Sequence, residues 1–180
     1  MSVSNIDPIV FPIGRYSSVG QFNRQKINQW IYEVDQLPAS LLEVFIHLEE
    51  SFLESPLRRG AWTIRQLIHH IADSHHHAYT RFKWTLTENE PVIKAYDEKA
   101  WSLLSDASAP IQFSLDHLSA VHRKWVFLLH KMDENDFNSR FQHPDTKSFH
   151  FLYDYLGMYA WHGNHHLTQI KQALEQFNQD

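Results

Sequence analysis

The chain has 180 residues, of which 43% are hydrophobic and 21% charged, with a net charge of −5 and no cysteine. That length predicts one compact domain over 1–180 with room for a core, and the hydrophobic content excludes a largely disordered chain. The missing cysteine excludes disulfide scaffolds, zinc ribbons, iron–sulfur clusters and thiol nucleophiles. An isoelectric point near 6.2, with no basic patch, argues against nucleic acid as a partner.

The first residues, Met1 to Pro8, carry neither a basic segment nor an apolar run, and no stretch has the length of a membrane span. The expectation is a soluble, cytoplasmic protein with no membrane partner. Residues 1–19, with Pro8, Pro12 and Gly14, show no helical period and are expected to form an extended arm. A first helix is predicted from Gln21 to Gln36, stopped by Pro38. A second is predicted over 39–54, on Leu42, Val44, Phe45, Leu48 and Phe52, and ends at Pro56. Arg58-Arg59-Gly60 reads as a solvated turn. The clearest helix is predicted from Trp62 to Glu88, with Thr63 as N-cap and a stripe of Ile64, Leu67, Ile68, Ile71, Ala78, Phe82 and Leu86. Residues 91–113 read as a connection with one short helix. Ser114 to Met132 is helical on Leu115, Leu118, Val121, Trp125 and Leu129. Residues 133–148 are polar and irregular around His143-Pro144-Asp145. A last helix is predicted from Phe149 to Gln176. Long amphipathic helices with few breaks predict an all-α four-helix bundle.

The 14 histidines are the unusual part of the composition, because imidazole is the commonest side-chain metal ligand. His162 and His166 are four apart, so they share one helical face and can chelate one ion. Both border the apolar stripe of the last helix, whereas His165 falls on the far, solvated side. Gly163 between them either lets a neighbouring helix or ligand approach or has no role. On the Trp62–Glu88 helix, His69 and His76 point outward and His75 faces the stripe. His70, Ser74, His77 and Arg81 run along its edge, and Asp73 lies further round. Periodicity does not choose between His70, His75 and His77 as a third imidazole. His47, His117, His122, His130 and His143 lack ligand spacing and read as structural or solvated. The tryptophans read as packing residues. There is no Gly-rich phosphate loop, no Gly-x-Ser-x-Gly elbow and no pair of Glu-x-x-His motifs, which excludes the corresponding phosphate, hydrolase and di-iron sites.

The run Gly60-Ala61-Trp62-Thr63-Ile64-Arg65-Gln66-Leu67-Ile68-His69-His70-Ile71-Ala72-Asp73-Ser74-His75 resembles the YfiT-like branch of the DinB superfamily. The resemblance continues in order through Phe11-Pro12-Ile13-Gly14, Arg81-Phe82-Lys83, Tyr96-Asp97-Glu98-Lys99-Ala100-Trp101, His143-Pro144-Asp145-Thr146-Lys147, Trp161-His162 and His165-His166. It implies a four-helix bundle, usually homodimeric, with one divalent ion, zinc or nickel, held by His70, His162 and His166. It further implies a metal-dependent hydrolase that activates water for a small-molecule substrate. The alternative within the superfamily is a thiol S-transferase that activates a low-molecular-weight thiol at the same ion. Three imidazoles and an open position suit a catalytic zinc site in either case. His77 stands where the branch often has asparagine, and Gly163-Asn164 replaces a more polar pair. Asp73 is expected either to orient a ligand histidine or to pair with Arg65 or Lys83. Arg81 is expected either to bind an anionic substrate group or to pair within its own helix. A second alternative is a non-enzymatic metal-binding or pH-sensitive interaction module.

Overall fold

The computed structural model describes residues 7–46, 48–58 and 60–177. His47, read as structural or solvated, Arg59, read as part of a solvated turn, and the first six residues of the expected arm lie outside them. Four long helices dominate: α1 (Arg24–Phe45), α3 (Ile64–Thr87), α5 (Ile111–Leu129) and α7 (Leu152–Phe177). Short helices α2 (Glu50–Leu53), α4 (Glu98–Trp101) and α6 (Glu134–Asn138) and strands β1 (Arg140–Gln142) and β2 (Phe149–Phe151) sit in the connections. The strands form an antiparallel hairpin, with Phe141 opposite His150. The chain is a four-helix bundle, as its pattern predicts.

Local sequence explains the helix starts. Asn23 caps α1 by accepting from the Lys26 amide. Thr63 and Gln66 form a reciprocal capping box on α3, which satisfies two of the amide donors that a helix start leaves open. The expected break before Pro38 does not occur. Helix α1 runs through Pro38 to Phe45, so the predicted helix over 39–54 is the end of α1 followed by the single turn α2. A proline inside a helix deprives the carbonyl four residues earlier of its donor. Here that carbonyl belongs to Val34, and the buried His122 ring bonds to it at 2.6 Å. The foreign donor replaces the missing one, and the helix continues. The segment 133–148, read as irregular, contains α6, closed by an Asp133–Asp136 capping box, and β1. Residues 149–151, read as the start of the last helix, are instead drawn into the hairpin as β2.

Two apolar clusters lie one above the other. One joins Ile27 and Ile31 of α1, Phe82 of α3, Trp125 of α5 and Leu156 of α7. The other joins Leu37 and Leu41, Ile64 and Leu67, Leu115 and Leu118, and Ile170 of the same four helices. The first cluster thus takes the N-terminal halves of α1 and α7 and the C-terminal halves of α3 and α5. So α1 and α7 run one way and α3 and α5 the other. Parallel neighbours need a long connection, and residues 88–110 return along α3 to start α5. Gln66 and His69 of α3 bond to the Ser102 and Ala109 carbonyls of this return. Between the two clusters, at mid-height, sits a layer of histidines from α3, α5 and α7.

Candidate metal centre

His70 of α3 and His162 and His166 of α7 converge in this layer. One ring nitrogen from each lies within 4.8 Å of the others; His70 is buried and the other two are half-buried. The Nε2 atoms of His70 and His166 each stand 3.2 Å from Nε2 of His162. Helix α7 supplies two of the three because residues four apart stack on one face. It can lie close to α1 because Gly163 has no side chain: a Cβ there would sit 2.5 Å from Leu37 Cδ2. Of the two readings of Gly163, close approach of a helix is the one the packing supports. Trp62, just before α3, packs on the His70 ring at 4.7 Å between centroids.

All three rings are held neutral, the form that binds metal. Burial lowers the His70 pKa to about 4. Burial, and then the positive charge His70 would carry, lower that of His166 to about 3. Burial and the surrounding imidazoles push His162 far below the usual range. The tautomer of His166 follows from its neighbours. Gln169 donates through Nε2 to the Val10 carbonyl at 3.0 Å, so its Oε1 accepts from His166 Nδ1 at 2.9 Å. Nε2 of His166 is therefore a bare lone pair directed at the other two rings. The spacing also suits a metal. Two nitrogens about 2.05 Å from a tetrahedral zinc lie roughly 3.3 Å apart, close to the 3.2 Å found here. The donor set and its spacing fit one divalent ion.

Of the three imidazoles that periodicity left open, the fold places His70 in the cluster and His75 immediately behind His162, with Nε2 3.2 Å from His162 Nδ1. His77 is elsewhere, stacked on Tyr96 at 4.4 Å and beside Trp101. Asp73 is in no ion pair among the described residues and bonds to none of the three clustered histidines. Arg65, its supposed partner, pairs with Glu50 and Glu54 instead. Asp73 borders a cavity of about 350 Å³ shared with His70, Gln66, Tyr96 and Trp101, and burial raises its carboxyl pKa. Arg81 is buried and makes no salt bridge within its helix; it donates to the Tyr155 hydroxyl and the Lys94 carbonyl. His166 borders a second cavity, of about 260 Å³, with Trp62 and Gln169.

Two outward histidines are less exposed than their helix faces suggest. His165 is buried because the N-terminal arm folds over α7, setting Phe11 against one side of it while Trp161 stacks on the other. His69 is half-buried and bonds to Ser114 Oγ at 2.7 Å, because the 88–110 return covers that face. Gln169 and His122 also belong to the surroundings of the site and were not read as such. The i+3 spacing of Gln169 from His166 was the available signal for the first. For His122 there was only the orphaned carbonyl that Pro38 creates.

A family model described as the DinB superfamily matches residues 33–170. The chain belongs to the DinB superfamily. A protein of Bacillus pumilus (strain SAFR-032) called a "putative metal-dependent hydrolase" is 42% identical over 165 residues, covering 92% of this chain and 94% of that one. One of Oceanobacillus iheyensis with the same description is 43% identical over 160 residues, covering 89% and 92%. Among solved structures, YfiT from Bacillus subtilis superposes with a TM-score of 0.93 at 38% identity, over 96% of this chain and 99% of that one. It is described as a probable metal-dependent hydrolase with an unusual four-helix bundle topology, and the chain is YfiT-like within the superfamily. TT2238, a four-helix bundle protein, shares the fold at a TM-score of 0.56 and 19% identity, over 81% of this chain and 98% of that one. No helix among the described residues is long and apolar enough to cross a membrane.

Proposed function

We propose that His70, His162 and His166 hold one divalent ion, zinc or nickel, and that the protein is a hydrolase acting on a small molecule. The observation that carries this reading is the convergence of three neutral imidazoles, the Nε2 atoms of His70 and His166 each 3.2 Å from that of His162. The metal-dependent descriptions of the relatives support it. An ion in such a site supplies a Lewis acid and lowers the pKa of a bound water from 15.7 to about 7. The chain's own residues do the rest. The cavity beside His70 admits substrate between α3 and the 88–110 return, with Tyr96 and Trp101 as an apolar wall. Asp73, on the same cavity wall and holding its proton more tightly than a free carboxyl, is the group placed to take up and return a proton. Gln169 keeps the His166 lone pair turned inward.

The test is metal content by mass spectrometry on untagged protein, beside His70→Ala, His162→Ala and His166→Ala. The expected result is about one ion per wild-type chain and loss in every variant. Wild-type protein that takes up neither zinc nor nickel would refute the reading. A panel of ester and amide substrates, with and without added low-molecular-weight thiol, then follows. Turnover without thiol is expected, and turnover that requires it would reassign the activity to thiol transfer.

A further inference from the structure

Behind the candidate centre, three more polar groups line up across the bundle. His162 Nδ1 faces His75 Nε2 at 3.2 Å. His75 Nδ1 faces His122 Nε2 at 2.9 Å. His122 Nδ1 faces the Val34 carbonyl oxygen at 2.6 Å. His75 is 0% and His122 1% exposed, no carboxylate among the described residues bonds to either ring, and burial disfavours a charge on both.

The direction of every bond follows from the far end. A carbonyl oxygen only accepts, so His122 carries its proton on Nδ1. A neutral imidazole has one N–H, so His122 Nε2 is an acceptor and His75 Nδ1 must donate to it. His75 Nε2 is then the acceptor for His162 Nδ1–H. That leaves Nε2 of His162 as a lone pair, pointing at Nε2 of His70 and His166. The anchor exists because Pro38 has no N–H, so the Val34 carbonyl is missing its normal helical donor. A proline in α1 thus sets the proton position on a ring in α7, through one ring in α5 and one in α3.

We propose that His75 and His122 are positioning residues that hold His162 in its Nδ1-protonated tautomer, the relay being anchored on the carbonyl that Pro38 leaves free. This rests on the metal-centre reading for its consequence, but the tautomer itself is a property of the metal-free protein. Groups that orient metal-bound histidines typically bond through the other ring nitrogen in this way. Here the partner is a second imidazole rather than a carboxylate, so His162 is oriented without adding negative charge to the core.

The test uses the full chain and two measurements. Nitrogen-15 NMR of the histidine rings in metal-free protein reads the tautomer, and competition with a chromophoric chelator reads zinc affinity. The wild type is expected to carry the His162 proton on Nδ1. His75→Phe keeps the ring volume and removes the acceptor. It should move part of that proton to Nε2 and weaken zinc binding roughly 10–100-fold. His75→Gln, whose amide oxygen can accept from His162, should restore most of both. His122→Phe should give a smaller loss, and adding it to His75→Phe should change nothing further, because it acts through His75. A wild-type His162 protonated on Nε2 would overturn the proposal. So would a folded His75→Phe whose zinc affinity stays within about twofold of wild type while His75→Gln behaves no better. If His75→Phe does not fold, the wild-type tautomer and the His122→Phe affinity decide. A wild type that binds no zinc would end the metal-centre reading but leave the relay to be judged on its nitrogen shifts alone.

Discussion

Gly157→Ala tests how α7 is seated against α1 and the N-terminal arm. In an exposed helix interior this change would stabilise by about 1 kcal/mol, since glycine is the poorer helix former. Gly157 is not in such a place. A Cβ there would lie 2.7 and 2.8 Å from two Trp30 ring carbons and 2.9 Å from the Tyr16 hydroxyl. Carbon atoms normally rest about 3.5–4.0 Å apart, so the indole must retreat by close to ~1 Å. Overpacking of that kind costs about 1–3 kcal/mol. Tyr16 would also be pushed from Asp154, whose carboxylate accepts from it at 2.7 Å, and a hydrogen bond to a charged group is worth about 1.5–3 kcal/mol. The net expectation is a loss of about 2 kcal/mol, or about 4–8 °C in Tm for a chain this long, read by circular dichroism on heating. In a Trp30→Leu background the indole clash is gone, and the cost should shrink to what displacing Tyr16 takes. A higher Tm for Gly157→Ala alone would show that helix propensity decides and the close approach does not. An undiminished cost in the Trp30→Leu background would put the strain somewhere other than the α1–α7 seam.

Two further outcomes follow from buried charge. Metal-free protein should lose stability as pH falls from the ordinary histidine range toward 4. Burial holds the His122 pKa down to about 4, so the unfolded chain takes its proton near pH 6.5 while the folded ring does not. The stabilisation is fully present above pH 6.5 and has shrunk by about 2–3 kcal/mol at pH ~4.5 from this residue alone. Urea unfolding at the two ends of that window should show the loss, and His122→Phe should flatten it; equal slopes in both proteins would contradict the assignment. Arg65→Met should cost about 1–3 kcal/mol, because the buried guanidinium also holds the Ala109 carbonyl. Glu50→Gln should cost under ~1 kcal/mol, since that carboxylate is largely in water. Equal effects in denaturant melts would mean that the pair, and not the anchoring of the 88–110 return, carries the energy.

Helix α3 was legible almost to the residue because its signals are local: Thr63 and Gln66 close the start, and one stripe from Ile64 to Leu86 marks the buried face. Helix α1 was misread for the opposite reason. The rule that proline ends a helix assumes that the orphaned carbonyl finds no other donor. At Val34 the donor comes from α5, a contact between residues 34 and 122 that no local window contains. The strands were missed in the same way, since Phe149 to Phe151 are extended only because Arg140 to Gln142 lie beside them. Helix direction was also hidden. Amphipathic stripes are the same for parallel and antiparallel neighbours, and only the sharing of core clusters between helix halves distinguishes them.

The site shows the same division. The pairing of His162 with His166 is a property of one helix and could be read from spacing. The choice of His70 came only with the resemblance, because periodicity measures an angle about a helix axis and carries no information about height along a bundle. Height is what separates His70 from His77. They lie along one edge of α3, yet one meets α7 at the level of His166 and the other is stacked under Tyr96, while His75, which faces the stripe, stands behind His162. Asp73 was a reasonable orienting partner on the premise that ligand histidines are held by carboxylates. The fold uses Gln169 and His75 instead, and both depend on residues outside their own helix to settle which atom donates. Gln169 is turned by the Val10 carbonyl of the arm, and His75 by the Val34 carbonyl through His122. In each case a backbone oxygen, which can only accept, is what makes the proposed ligand nitrogen a lone pair. Two of the three proposed ligands are therefore oriented by main-chain geometry brought from α1 and the arm, which is why side-chain motifs alone did not show how the centre is held.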